Sequence, residues 1–248
     1  MLLHGWALHG GAFAPLLPAL VARHRVHVVD LPGHGHSPPM AQLTLDAIVD
    51  AVAAAVTPLA EGAPLDVLGW SFGGLVAQRW AARAGGGMAR LILVCTSPRF
   101  VAGDGWTAGI APQVLAQFGD ELRVAYDATL RRFLMLQMQH ATHARTTLAR
   151  MRELLAARPP ADRATLDATL AILQSSDLRD QAPAMGMPAL VVAGGRDTLA
   201  PAAAGAWLAD AMPDAILATI ADAAHVPFLS HPRAFDAALR GFFDGHHR

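Results

Sequence analysis

The chain has 248 residues, of which 53% are hydrophobic and 16% are charged, and its formal net charge is −1. This composition supports a large buried core and gives no sign of a nucleic-acid partner or of an anionic membrane surface as partner. No apolar stretch approaches the roughly 18 residues of a membrane span, and the start lacks a signal peptide pattern, so a cytoplasmic protein is expected. The single cysteine, Cys95, follows an apolar run and is expected to be a buried thiol in a reducing compartment.

Short apolar runs that are typical of β-strands alternate with helical patterns along most of the chain. In chain order, strands are predicted at residues 26–29, 65–68, 91–95, 189–193 and 216–220. Apolar residues at helical spacing predict helices at residues 13–20, 48–59, 75–84, 202–212 and 234–243. This alternation predicts an α/β fold with a mostly parallel sheet and helices on both faces.

The alternation stops between residues 106 and 178, where the patterns are helical and no convincing strand is found. We therefore predict an α/β core formed by residues 1–105 and 179–248, with residues 106–178 as an inserted helical cap. Within the cap, residues 120–165 contain eight arginines and five acidic residues, which gives this segment a charge of +3 and leaves −4 for the rest. The charge asymmetry of the chain is therefore local to the cap.

A serine lies between a predicted strand and a predicted helix, in the run Gly69-Trp70-Ser71-Phe72-Gly73. A nucleophile at such a junction sits on a sharp turn, and small residues on both sides let the strand and the helix approach each other. The G-x-S-x-G spacing also occurs by chance, so an ordinary turn serine is the alternative. The preceding apolar strand and the following amphipathic helix favour a nucleophilic role for Ser71.

A serine hydroxyl needs a general base and a carboxylate that orients this base, in the chain order Ser, Asp, His. Asp197 follows the strand predicted at 189–193, and His225 follows the strand predicted at 216–220. Taken singly, Asp197 could be a helix-capping residue and His225 a structural histidine. Because parallel strands end at one edge of a sheet, we predict that Ser71, His225 and Asp197 act together as nucleophile, base and orienting acid.

The oxyanion of ester hydrolysis requires two backbone N–H donors beside the nucleophile. One normally belongs to the residue after the nucleophile, here Phe72, and the other to a loop near the chain start, here Trp6. The run His9-Gly10-Gly11 is interpreted as a turn that leads into a helix. His34 and His36 are close in sequence but lack a cluster of acidic residues or cysteines, so no metal site is predicted.

Five segments together resemble the α/β-hydrolase superfamily: residues 2–6, 30–37, 68–74, 194–197 and 224–228. Further motifs resemble the carboxylesterases of biotin synthesis: Gly69-Trp70-Ser71, Thr96-Ser97-Pro98, Trp106 with Gly109-Ile110, residues 132–137, Asp177-Leu178-Arg179 and residues 228–232. The resemblance spans nearly the whole chain and implies an α/β-hydrolase fold with a helical cap. That family carries a further segment before Leu-Leu-His-Gly, so either the true start lies upstream of Met1 or the N-terminal strands of the sheet are missing here.

The resemblance implies a serine esterase that needs no cofactor and hydrolyses the methyl ester of pimeloyl-[acyl-carrier protein], releasing methanol. In addition to Ser71, Phe72 and His225, it implies a substrate-binding role for Trp6 and for a run in the cap: Phe133, Leu134, Met135, Leu136 and Gln137. The acidic acyl carrier protein is then the implied partner of the basic cap. Arg132 and Arg145 match carrier-contacting positions, and further candidates are Arg131, Arg150 and Arg152.

Other functions share this set of residues. A broad esterase, a lactonase or a carbon–carbon bond hydrolase would use the same three side chains, and the cap would decide among them. A noncatalytic ligand-binding protein of the same fold is the alternative from another class, which the intact Ser71, Asp197 and His225 disfavour. The protein is expected to act as a monomer, with no metal ion and no membrane partner.

Overall fold

The computed structural model describes residues 1–84 and 87–245. Within them, six parallel strands form one sheet: β1 (Leu2–Leu3), β2 (Val28–Val29), β3 (Leu65–Trp70), β4 (Met88–Val94), β5 (Ala189–Gly194) and β6 (Ala215–Ile220). Their order across the sheet is β2-β1-β3-β4-β5-β6, so β2 and β6 form its edges. The predicted α/β fold with a parallel sheet is therefore confirmed.

Helices cover both faces of this sheet. The α-helices of the described residues are α1 (Leu17–Val21), α2 (Leu45–Val56), α3 (Phe72–Ala84), α4 (Pro112–Val124), α5 (Tyr126–Leu136), α6 (Ala144–Leu155), α7 (Arg163–Ser175), α8 (Ala202–Ala211), α9 (Pro227–Ser230) and α10 (Pro232–Gly245). Successive strand residues point to opposite faces. Leu91 and Leu93 of β4 belong to an apolar core with residues of α2, α3 and α8, whereas Ile92 and Val94 belong to a second core with residues of α10.

Two of the predicted helices are shorter than their apolar patterns. Residues 13–20 are divided between a 3₁₀ helix, Gly10–Leu16, and α1, and the pattern at 48–59 ends in a second 3₁₀ helix, Thr57–Ala60. Both regions contain proline, at Pro15, Pro18 and Pro58. Because proline lacks the N–H that a regular helix needs, it favours short 3₁₀ turns and helix starts at these positions.

The helical insertion lies between β4 and β5 and contains α4 to α7, with no strand among the described residues 112–175. Trp6, after β1, donates its indole N–H to the Leu166 carbonyl at 3.2 Å, and Asp30, after β2, pairs with Arg158 at 2.6 Å. The cap therefore lies over the C-terminal ends of the strands. Among the described helices, none combines the length and the apolar character that crossing a lipid bilayer requires.

Candidate active site

Ser71 occupies a strained turn between β3 and α3. Its φ angle is +55°, in the left-handed region that residues other than glycine seldom adopt. The turn is held from outside, because Ser71 N–H donates to the Val94 carbonyl at 2.9 Å and Thr96 Oγ1 donates to the Ser71 carbonyl at 2.7 Å. A Cβ atom at Gly69 would lie 2.4 Å from the Gly73 carbonyl oxygen. The strand and the helix can therefore meet at this angle only with glycine at position 69.

The structure brings the three side chains of the predicted catalytic set together. His225 Nε2 lies 2.8 Å from Ser71 Oγ, and His225 Nδ1 lies 2.7 Å from Asp197 Oδ2. All three residues are buried. In this arrangement Nε2 can accept the hydroxyl proton while the Nδ1–H group donates to the carboxylate.

Hydrogen bonds from the surroundings fix the two partners of Ser71. Asp197 Oδ1 accepts the N–H groups of Leu199 at 2.8 Å and Ala200 at 3.1 Å, which leaves Oδ2 for the imidazole. The carbonyl oxygen of His225 accepts the indole N–H of Trp70 at 2.8 Å. Partners of this kind set the orientation of the imidazole and the carboxylate before a substrate arrives.

Two backbone N–H groups are available as donors near Ser71. Phe72 is the first residue of α3, where the N–H groups of a helix have no intrahelical acceptor. In the part of the chain that the structure describes, no backbone acceptor is found for the N–H of Trp6. The loop before Trp6 runs against the serine, because a Cβ atom at Gly5 would lie 3.3 Å from Ser71 Cβ. Both amides can therefore serve an oxyanion that forms at this position.

His4 supports the same loop from inside the protein, and sequence reasoning assigned it no role. Its Nε2 accepts the N–H of Leu31 at 2.9 Å, so Nδ1 carries the proton and donates to the Gly5 carbonyl at 2.8 Å. Burial, reinforced by the nearby His34, lowers the pKa of His4 to about 3. The ring is therefore neutral near pH 7. The only sequence signal for this role is a histidine followed by glycine directly after the first strand.

An apolar cavity of about 250 Å³ is lined by Ser71 and His225. Most of its wall comes from aromatic and aliphatic side chains, including Trp6, Phe118, Phe133, Leu136, Leu170 and Leu173. The rings of Trp6 and Phe133 pack edge to face, with their centroids 5.0 Å apart. Such a wall suits an uncharged acyl chain better than a charged substrate.

The five predicted substrate-binding residues of the cap occupy different surroundings. Phe133 and Leu136 line the cavity, since residues three apart share one face of a helix. Leu134 packs against an apolar core and Met135 is 47% exposed. The Gln137 side chain is buried outside the cavity, and its carbonyl accepts the N–H of His225 at 3.1 Å.

Sequence reasoning missed the cavity residues of the other cap helices, such as Phe118 on α4 and Leu170 on α7. The available signal is an amphipathic pattern. Leu115 and Leu122, which frame Phe118, are buried on one side of α4. That pattern predicts which side of α4 faces the protein interior. It does not predict whether this side packs into a core or lines a cavity.

All five arginines predicted to contact a carrier protein are exposed: Arg131, Arg132, Arg145, Arg150 and Arg152. Arg132 and Arg145 line one open groove of about 460 Å³ at α5 and α6. Leu136 lines both this groove and the apolar cavity, so the two spaces are neighbours. Arg132 forms an ion pair with Glu121, and Arg150 pairs with Glu153 at 3.0 Å.

The histidines and the cysteine do not form a preformed metal centre in the described residues. His34 is buried with Nδ1 near the Pro32 carbonyl at 3.0 Å, whereas His36 is exposed. Donor atoms of Cys95, Asp197 and His225 lie within 4.8 Å of one another. However, the last two already share a hydrogen bond, and burial raises the pKa of the Cys95 thiol, which keeps it protonated.

The sequence pattern of the alpha/beta hydrolase family matches residues 1–238. The chain belongs to this family. A pimeloyl-[acyl-carrier protein] methyl ester esterase from Chromobacterium violaceum is 44% identical to this hydrolase over 240 residues, which covers 96% of the chain and 91% of the relative. The esterase of the same name from Xanthomonas axonopodis pv. citri is 42% identical, covering 98% of the chain and 93% of the relative. The resemblance read from the sequence motifs is thereby confirmed.

Solved structures of other hydrolases share the fold of this hydrolase. An esterase from Exiguobacterium antarcticum superposes with a TM-score of 0.88 at 20% identity, covering 98% of the chain and 90% of that protein. An enol-lactonase from Burkholderia xenovorans superposes with a TM-score of 0.83 at 25% identity, covering 98% and 90%. Because proteins of one fold carry out different reactions, the residues of the site and not the fold alone determine the reaction.

Proposed function

We propose that this hydrolase cleaves the methyl ester of pimeloyl-[acyl-carrier protein] in biotin synthesis, releasing methanol and pimeloyl-[acyl-carrier protein]. The observation that carries the proposal is the hydrogen-bonded line from Ser71 through His225 to Asp197 at an apolar cavity. The relatives with this named activity match the chain over nearly its whole length, cap included. The likeness therefore extends to the part of the chain that selects the substrate.

The first half of the reaction forms an acyl-enzyme. Ser71 Oγ attacks the ester carbonyl carbon while its proton passes to His225 Nε2 across the 2.8 Å contact. The N–H groups of Trp6 and Phe72 hold the oxyanion, and Asp197 stabilises the imidazolium. The imidazolium then gives its proton to the methoxy oxygen, the carbon–oxygen bond breaks, and methanol leaves.

The second half of the reaction regenerates the serine. A water molecule attacks the acyl-enzyme carbonyl as His225 takes one of its protons, and the same two amides hold the second oxyanion. The bond to Ser71 Oγ then breaks and His225 returns the proton to this oxygen. The product leaves with its freed carboxylic acid, which releases its proton to solvent and becomes the carboxylate. The proton transfers need no redox partner, so the proposal includes no cofactor.

The shape of the substrate fits the two neighbouring spaces of the cap. The pimeloyl group has two carboxyl ends, one as the methyl ester and the other as the thioester to the carrier. The apolar cavity would take the ester end and its methylene chain, with Phe133 and Leu136 against the chain. The groove that carries Arg132 and Arg145 would then face the acidic carrier protein, to which their charge is complementary.

The cellular setting is part of the proposal. We place the enzyme in the cytoplasm, because a single buried thiol and no disulfide suit a reducing compartment. A monomer suffices for the chemistry, since all the proposed catalytic groups belong to one chain.

Methanol release tests the assignment. We expect kcat/KM for methyl pimeloyl-[acyl-carrier protein] to exceed that for the free methyl ester by about tenfold or more, because the carrier adds charge complementarity. The gene should also restore growth without biotin to a strain that lacks its own esterase. Equal rates on both esters together with no growth would instead indicate an esterase or lactonase of broader selectivity.

A further inference from the structure

His225 lies on the connection between β6 and α9, and both polar groups of its backbone are bound by other elements. Its carbonyl accepts the indole N–H of Trp70, the residue before the nucleophile, at 2.8 Å. Its N–H donates to the carbonyl of Gln137, the residue after α5, at 3.1 Å. The position of the imidazole therefore depends on the cap as well as on the core.

The segment that receives the N–H of His225 is the cap turn, residues 137–143, which connects α5 to α6. His140 and His143 have φ angles of +65° and +68°, which residues other than glycine seldom adopt. The Gln137 amide has no hydrogen-bond partner among the described residues, so only its backbone carbonyl reaches the loop of His225. The cap turn has local hydrogen bonds, such as that from Ala141 N–H to the Met138 carbonyl at 3.1 Å, and contacts from outside the turn add to them.

One arginine and one aspartate provide this external fixation. The Arg196 guanidinium donates to the His140 carbonyl at 2.9 Å and forms an ion pair with Asp222. The carbonyl of Asp222 accepts the N–H of Thr142 at 3.3 Å. Arg196 directly precedes Asp197, and Asp222 lies three residues before His225. The Arg196–Asp222 ion pair therefore connects three segments: the loop that carries Asp197, the loop that carries His225, and the cap turn.

We propose that Arg196, paired with Asp222, is a positioning residue that holds His225 at the distance from Ser71 that proton transfer requires. The proposal rests on the proposed function in that His225 is taken as the general base. The pair is 44% and 58% exposed, and exposed ion pairs contribute little to the stability of a fold. Its effect should therefore appear in the chemical step, where a displacement of about 1 Å can lower the rate by up to 100-fold.

The substitution Arg196→Met keeps an unbranched, flexible side chain, although a shorter one, and removes the charge and the donors. We expect kcat for p-nitrophenyl acetate to fall roughly 5- to 20-fold, with KM changed less than about twofold, because the ester does not contact Arg196. Turnover of the carrier-bound substrate should fall by the same factor. The labelling rate of Ser71 by a fluorophosphonate should fall with it, since His225 deprotonates the serine in both reactions.

Arg240 offers a matched control, because it forms an exposed ion pair with Asp236 on α10 at 2.8 Å. Arg240→Met should leave kcat within about 1.5-fold of the parent enzyme, since its pair touches no element of the site. Arg196→Lys should recover part of the lost kcat, because an ammonium group can still donate to His140 and Asp222.

Three results would overturn the proposal. The first is a kcat for Arg196→Met equal to that of Arg240→Met. The second is a change confined to KM for the carrier-bound substrate, which would make Arg196 a carrier contact. If Arg196→Met unfolds at a clearly lower temperature than the control, Asp222→Ala is the deciding variant, because alanine removes the acceptor of Arg196, and an unchanged kcat there is the third. Because p-nitrophenyl acetate needs no carrier, failure on the carrier-bound substrate alone would overturn only the substrate assignment.

Discussion

The core and the cap contribute opposite kinds of surface to the same cavity. On the core side, Ser71, Asp197 and His225 are at most 7% exposed and are joined by hydrogen bonds of 2.7 and 2.8 Å. On the cap side, Phe133 and Leu136 offer apolar contacts, and the arginines beyond them are exposed. Under the proposed function, the core fixes atoms for the reaction, whereas the cap selects the substrate by apolar area and charge. Substitutions in the two regions should therefore impair the enzyme in different ways.

The largest expected effect lies in the core, at Ser71. The substitution Ser71→Ala removes the proposed nucleophile and should lower kcat for a short p-nitrophenyl ester by at least about 10⁴-fold. The fold should persist, because Ser71 N–H and its carbonyl make the contacts that hold the turn. Circular dichroism and fluorophosphonate labelling would accompany the kinetics. Ser175→Ala, at an exposed serine of α7, is the control that should keep full activity, and activity of Ser71→Ala above about 1% of the parent would contradict the assignment.

A second effect on the core side concerns acid stability. The folded-state pKa of His4, lowered to about 3, is below the ordinary histidine value of 6.5, so the unfolded chain binds the proton more readily between these values. Stability should therefore fall as the pH drops from about 6.5 towards 3, by roughly 2 to 4 kcal/mol for this group. Burial also lowers the pKa values of His34 and His9, which adds to the same trend.

Urea unfolding at about pH 7 and about pH 4.5 would measure this loss. His4→Gln should flatten the pH dependence, because glutamine keeps an acceptor for Leu31 and does not titrate in this range. His36→Gln, on an exposed loop, is the matched control. An equal slope in both variants would mean that His4 does not govern the acid response of the core.

The same contrast explains what could be predicted from the sequence. Asp197 and His225 could be found because each follows an apolar run that forms a parallel strand, β5 in the buried part of the sheet and β6 at its exposed edge, and the residues after parallel strands meet at one edge of the sheet. That inference needs no side-chain contacts. In the cap, the resemblance predicts one binding segment from Phe133 to Gln137, but the helical period distributes these side chains between the cavity, the core and solvent.

The cap turn carries still less sequence signal. The backbone at His140 and His143 is left-handed, but neither position has the glycine that would predict this conformation from the sequence. The contact between Arg196 and the His140 carbonyl joins residues 56 positions apart and depends on how the cap sits on the core. Such features follow from packing between elements, which hydrophobic periodicity does not specify.

A smaller effect is expected from the apolar side of the cap. The substitution Phe133→Ala removes a ring that packs against Trp6 and lines the cavity. KM for a medium-chain methyl ester should rise about tenfold, with a smaller change in kcat, because the lost contact holds the chain rather than the reacting atoms. Val124→Ala, at a side chain that is 88% exposed on α4, should change neither constant. A loss confined to kcat would mean that Phe133 positions the nucleophile and does not bind the substrate.

The smallest expected effect concerns the basic groove. Replacing Arg132 and Arg145 together by glutamine should lower kcat/KM for the carrier-bound ester about three- to tenfold at low salt, since exposed charges mainly steer association. The difference should shrink at about 0.5 M salt, where the Debye length is only a few ångströms.

The free methyl ester should be hydrolysed at an unchanged rate, because neither arginine lines the cavity. Arg123→Gln, at an arginine paired with Asp120 on α4, is the one-charge control for Arg132→Gln and Arg145→Gln measured singly. Equal losses in that control would show that the cap attracts the carrier by its total charge, without a defined docking site.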